Sequence, residues 1–280
     1  MMESDMTCMG FQYEIGKEYS LEGELEICKK GFHFCEAPFD CLYYYSNIKG
    51  DKRLFLVEAT GEVISKYDKS VTNKIKIIEE ITDIEKFIEK YKDKVDWYYI
   101  SIHQKLSEEF IEKYNDEVYW YSISIHQKLS EEFIEKYKDK VDWENISEYQ
   151  TLSEEFIEKN KNKVDWDCIS IYQTLSEKFI DKYNDEVDWD CISSYQTLSE
   201  SFIEKYCDKV DWYRISANQK LSEKFIKKHS DKVNWNCISR CQTLSEEFID
   251  KYNDRVEWSC ISKYQKLSED FIEKHKNKIS

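Results

Sequence analysis

The chain has 280 residues and a formal net charge of −16. Residues 1–82 carry 15 acidic and 10 basic side chains and the remainder 42 and 31, so neither part holds the basic patch that a phosphate backbone requires, and nucleic acid is not an expected partner. No apolar run approaches the roughly 18 residues of a membrane span, and Met1 to Thr7 is acidic and polar rather than basic then apolar, so neither membrane insertion nor a signal peptide is expected.

All six glycines and the single Pro38 lie before residue 62. Glycine and proline punctuate turns and interrupt helices, so this shift in composition marks two regions, placed here as 1–80 and 81–280. The first reads as a small α+β domain. Gly10 to Glu14 is a candidate strand, Gly16 and Gly23 are turn signals, Arg53 to Ala59 is the clearest strand, and Lys74 to Ile78 is the expected last one. Pro38 to Tyr44 reads as a helix opened by proline. Cys28, Cys35 and Cys41 with His33 lack the close cysteine pairs of zinc folds, so no metal and no cofactor are expected. The ten cysteines are read as free thiols of a reducing compartment.

From Lys94 onward one unit repeats eight times. Trp97, Trp120, Trp143, Trp166, Trp189, Trp212, Trp235 and Trp258 stand 23 residues apart and are all the tryptophans of the chain. Leu106 to Leu267 and Phe110 to Phe271 run on the same period. Each unit holds two helix starts. Asp96 is a good N-cap, with Val95 before it and Ile100 at the fourth helical position, a hydrophobic staple. Ser107, with Leu106 and Ile111, repeats the device. Trp97, Ile100, Ser101 and Gln104 fall on one face of the first helix, A. The second helix, B, buries Phe110, Ile111 and Tyr114. Helices of two or three turns are not stable alone, so the units must stack. The expected fold is mostly α: an α-solenoid of eight two-helix repeats behind the small α+β domain. Asp83 to Tyr91 matches a lone B helix joining the two.

Comparison among the units separates packing positions from variable ones. The tryptophans are expected in the core. The constant Ser101 and Gln104 series is expected to satisfy backbone groups between layers, and the B-helix charges to form a solvated face. Helix A varies on its other side, where Tyr, Ile and His cluster in a manner typical of interfaces. The candidate protein-binding residues are Tyr98, Tyr99, Ile102 and His103 in the first unit, and Tyr121, Ile125 and His126 in the second. Tyr149, Ile171, Tyr172 and Tyr195 continue the stripe. Phe271, on the last B helix, is added because no polar cap follows, and self-association through that end to give a homodimer is expected.

Two resemblances bear on these regions. The runs Thr7 to Tyr19 and Gly31 to Pro38, with the strand Phe55 to Glu58, resemble a family of small uncharacterised domains of phage and giant-virus proteins. The units Lys-Val-Asp-Trp-x-x-Ile-Ser-x-x-Gln-x-Leu-Ser-Glu-x-Phe-Ile resemble repeats of giant viruses of the mimivirus type, and the Lys, Ile, Asn and Tyr richness suits an AT-rich viral genome. These resemblances imply a viral protein but name no activity. More weakly, Gly31 to Phe34 followed by Asp40 to Tyr44 is similar to a strand-and-helix segment of ADP-ribosyltransferases. That likeness implies a late catalytic acid, with Glu58, Glu62 and Glu79 as candidates, and an upstream His or Arg strand, whereas no His precedes His33 and the first basic residue is Lys17. The combined reading is a non-enzymatic scaffold or adaptor that binds a protein partner in the cytoplasm of a host, without excluding the virion. The alternative is an ADP-ribosyltransferase-like or nucleotide-binding domain targeted by the array.

Overall fold

The computed structural model describes residues 2, 6–8, 11–37, 40 and 53–279. The chain divides into two compact units, Met1–Gln127 and Lys128–Ser280.

The first unit begins with β structure. Strands β1 (Thr7–Cys8) and β2 (Phe11–Gln12) form a short hairpin. One antiparallel sheet has the order β3 (Glu18–Ser20), β8 (Lys74–Ile81), β5 (Leu54–Ala59), and the other β4 (Phe32–Phe34), β7 (Lys69–Thr72), β6 (Val63–Lys66). Strand β8 alternates: Ile75 and Ile77 are buried and Lys74 is exposed, as a one-sided strand requires. Ile77 packs with Met2 and Phe55 in a small core joined by Tyr13, Tyr19 and Val57. Buried Ser70 donates to the Glu36 carboxylate, which also accepts from Ser65. Gly31 has φ +126°, and a Cβ there would lie 2.2 Å from Val71, so this position admits only glycine without rearrangement.

The expected strands at Gly10–Glu14, Arg53–Ala59 and Lys74–Ile78 fall on β2, β5 and β8, the last extending to Ile81. The expected helix at Pro38–Tyr44 lies outside the described residues except for Asp40. Strands β3, β6 and β7 have three or four residues each, and β6 is exposed along its length, so no alternation announces them.

The helices leading into the repeats begin at Ile84. The lone B helix Ile84–Lys90 is capped by Asp83, whose Oδ1 accepts from Lys86 N at 3.1 Å. Helices A (Trp97–His103), B (Glu108–Lys113) and A (Trp120–His126) follow in the same unit. The second unit opens with B helix Glu131–Lys136 and continues through six A helices, the first Trp143–Tyr149 and the last Trp258–Tyr264, each followed by a B helix. Within each unit, A helices pack neighbour to neighbour. Among the described residues no helix is long and apolar enough to cross a membrane.

The caps follow the residue pattern. Ser153 Oγ accepts from Phe156 N at 3.2 Å, and Asp165 Oδ1 from Cys168 N at 2.8 Å, as N-caps do. Three residues beyond each Trp an Ile is wholly buried: Ile146, Ile169, Ile192, Ile215, Ile238 and Ile261 in the second unit. Burying one such side chain is worth about 1.5–3 kcal/mol.

Candidate protein-binding surface

The constant polar residues make the seams. Ser147 Oγ donates to Trp143 O at 2.7 Å and accepts from Asp165 N, in the next repeat, at 3.0 Å. Gln173 donates through Nε2 to Ser147 O and Gln150 O, both at 2.8 Å. The same pattern recurs through Gln196, Gln219, Gln242 and Gln265. These residues satisfy backbone groups that stacking would otherwise orphan, as their constancy implies.

The tryptophans differ from expectation. Each is half-buried, not enclosed. Trp189 stacks on Phe202 at 6.3 Å and on Tyr206 at 4.7 Å, and its Nε1 donates to Asn184 O at 2.9 Å. Lys209 of the next repeat lies over the outer face at 5.8 Å. The indole is amphipathic, so a position at the core's edge lets it cover apolar rings while its N–H meets a loop carbonyl.

The B-helix charges are likewise more than a solvated face. Lys182 pairs with Glu158, Lys205 with Asp181, Lys228 with Glu204 and Lys274 with Asp250, each joining successive repeats. At the end of several B helices a ring or amide addresses the same acid. Tyr206 donates to Asp181, and His275 Nε2 lies 2.6 Å from Asp250.

Helix A turns its variable side outward. In the first unit Tyr98, His103, Tyr121 and His126 are exposed, with Tyr121 at 63%, while Ile102 and Ile125 are half-buried beside them. Tyr98 meets Tyr119 edge-on at 5.2 Å. Tyr99 is corrected: it is 7% exposed and packs on His103 at 4.1 Å, because its position two residues after Trp faces the neighbouring A helix. Burial, and secondarily His126, hold the His103 pKa below its usual value.

In the second unit Tyr149, Tyr172 and Tyr195 are exposed one period apart, with Ile171 half-buried among them. The Glu148 carboxylate raises the Tyr172 phenol pKa. Phe271 is corrected too. It is 5% exposed and enclosed by Trp258 and His275, so it does not present its ring to the surface. The exposed apolar side chain there is Ile272, at 41%, whose counterpart Ile249 is fully buried. Among the described residues of the repeats, three exposed tyrosines fell outside the expected set. Tyr213 and Tyr264 occupy the positions of Tyr98 and Tyr149, a signal open to the same comparison. Tyr119 replaces the usual Asp cap, and its helix has no side-chain cap bond.

The cysteines two residues after Trp are packing groups. Burial first, then the cap aspartates Asp165 and Asp188, push the Cys168 and Cys191 thiols up to about 12, so they stay protonated. Among the described residues no group of three His, Cys, Asp or Glu is placed to hold a metal ion. His33 Nε2 accepts from Cys28 N at 2.8 Å.

Residues 1–90 match a family model described as "Domain of unknown function (DUF7666)". Neither curated proteins nor solved structures gave a match. The matched stretch takes in the whole β region and ends at Lys90, the last residue of the lone B helix, so the repeats from Trp97 onward lie outside it.

Proposed function

We propose that this chain is a non-enzymatic scaffold or adaptor that binds a protein through the outer faces of its A helices. One observation carries the reading. Each A helix buries one side in a constant network, yet the other side changes from repeat to repeat and holds tyrosines that are more than half exposed in both units. Repeat arrays bind in this way, each unit offering one set of variable side chains beside the next. Tyrosine gives large contact area at low entropic cost and is enriched at hot spots. The likeness of the repeats to those of mimivirus-type viruses, with the Lys, Ile, Asn and Tyr richness, supports a viral origin and action on host or viral proteins in the host cytoplasm.

The test is capture of a partner by the full chain, followed by affinity measurement with Tyr98→Ala and Tyr121→Ala. Each substitution is expected to weaken binding by at least about 1 kcal/mol, hot-spot behaviour, with the melting curve unchanged. Equal affinity for both variants overturns the assignment of the surface.

A further inference from the structure

We propose that the outer A-helix faces of the three repeats between Trp143 and Thr197 dock an extended, arginine-bearing segment of a protein partner. The proposal rests on reading these faces as binding surface, and it names the chemistry of what they bind.

The eight A segments, each running from its Trp to the Leu nine residues on, sort by charge without exception. The third, fourth and fifth carry the acids Glu144, Glu148, Asp167 and Asp190 and no base. The other five carry no acid, and each holds at least one base. Thr151, Thr174 and Thr197 stand where Lys105, Lys128, Lys220 and Lys266 stand in other repeats, so that lysine is absent from every repeat that carries the acids. The same three repeats present Tyr149, Tyr172 and Tyr195, each more than half exposed. Independent drift would scatter these features; here acid, ring and missing lysine fall together on three neighbours.

The acids lack the cations that other acids of this unit have. Those of the B helices pair with lysines of the next repeat. Among the described residues Glu144, Asp167 and Asp190 form no ion pair.

The last repeat shows what completes such a face. Tyr264 occupies the position of Tyr172 and Tyr195, and the chain itself covers it. Arg240 of the preceding repeat and Lys263 lie 5.7 and 5.3 Å from the centre of its ring. The position of Arg240 is held by Glu148 in the repeat before Tyr172, and by Ile171 in the repeat before Tyr195. Among the described residues no cation lies over Tyr172 or Tyr195. Glu148 lies close enough to the Tyr172 phenol to raise its pKa. A cation brought over that ring from outside therefore meets both a π face and a carboxylate. Arginine suits the place better than lysine, because its planar fork stacks on a ring while its N–H groups bond a carboxylate.

The spacing of the repeats sets the frame of the occupant. Neighbouring packed helices lie about 8–10 Å apart. Three residues of extended polyproline-II chain advance about 9 Å. An arginine at every third residue thus reaches one repeat after another, in a segment of about seven residues.

The experiment titrates the full chain into a fluorescein-labelled peptide of three arginines, each separated from the next by two serines, and reads anisotropy at about 0.15 M salt. Saturable binding is expected, tighter than with lysine in place of arginine. A peptide of the same composition with its arginines adjacent should bind more weakly, since it spans fewer repeats. Tyr172→Ala and Asp167→Lys should each raise Kd about tenfold. Glu155→Lys, on a B helix, changes net charge by the same amount as Asp167→Lys and should raise Kd by less than about twofold. That comparison separates this face from the general attraction of a chain of net charge −16. All three side chains are exposed, and unchanged melting curves check that the variants fold. Absence of saturable binding, equal loss with Glu155→Lys and Asp167→Lys, or indifference to Tyr172→Ala overturns the proposal. Equal affinity for the adjacent-arginine peptide overturns the extended frame. A chain that ignores the peptide yet loses its captured partner with Tyr98→Ala and Tyr121→Ala removes the basic segment and leaves the scaffold reading standing.

Discussion

Gln173 Oε1 accepts the backbone N–H of Leu152, a residue of the preceding repeat, at 3.0 Å. Its amide nitrogen meanwhile holds two carbonyls of that repeat. One side chain thus closes three backbone groups that have no helical partner. Gln173→Leu should leave them buried and unpaired, at about 1–3 kcal/mol for each group not rescued by water. Urea titration would register the loss. Hydrogen exchange should show it first at Leu152 and its neighbours, and uniform acceleration over the whole unit would contradict a seam-by-seam architecture.

Trp189→Ala should cost less than a fully enclosed tryptophan. Truncation in a core costs about 3–5 kcal/mol, and a half-buried ring that also loses one hydrogen bond is expected near 2–3 kcal/mol. Lys209→Ala should cost only about 0.5–1 kcal/mol, the range for an exposed cation over a ring. In the Trp189→Ala background the Lys209 effect should shrink to what its contacts with Asp185 and Asn184 contribute, and a double-mutant cycle with no coupling would show that the cation does not act through the indole.

His229 offers a pH dependence with a defined sign. Its Nε2 is buried without a hydrogen-bond partner, although Tyr206 and His275 at the same repeat position reach an acid. The equivalent acid, Glu204, is engaged by Lys228. Desolvation holds the His229 pKa below 6.5, with Lys228 and Lys232 acting in the same sense and Glu204 and Asp231 opposing. A folded-state pKa below the unfolded one gives a contribution to stability that is present above 6.5 and lost as pH falls through and below it. His229→Tyr should therefore stabilise by about 1 kcal/mol through a phenol hydrogen bond. The gain should be larger near pH 5.5 than near pH 8, where the histidine is neutral in both states. Chemical denaturation at the two pH values checks this, and a pH-independent difference would place the proton elsewhere.

One rung of the B-helix ladder carries the wrong sign. Lys227 occupies the position of Glu204 and Asp250, so it stands toward Lys251 where the other rungs pair Lys with an acid. Lys227→Glu should raise the urea midpoint slightly at low salt. The gain should fade at about 1 M salt, where screening reaches about 3 Å. No change at low salt would mean the ladder contributes nothing to stability at this rung.

The repeat array was legible because one pattern recurs eight times, and constancy itself distinguished Ser147 and Gln173 from Tyr149 and Tyr172. Comparison between repeats did not reveal how deep each constant residue lies. Trp189 and Ile192 are equally invariant, yet only the isoleucine is fully enclosed; the indole's size and N–H hold it at the margin. The same limit explains Tyr99, an aromatic residue of the variable series whose backbone position turns it inward. The ladder Lys205–Asp181 was hidden because residues 24 apart are neighbours only once the stacking is known. In the β region nothing recurs, and strands as short as Glu18–Ser20 offer too few residues for a period to show.

Seams closed only between adjacent repeats have a mechanical consequence. Within residues 128–280, pulling on the two ends loads Gln173, Gln196 and Gln219 in series, so the weakest seam yields while the others hold. Each failure should free one unit of 23 residues, a contour of about 80 Å at full extension. Stretching this segment between optical tweezers should give a saw-tooth of nearly equal steps at low force, the response of an extensible spring; a single cooperative rip would mean the repeats fail as one body.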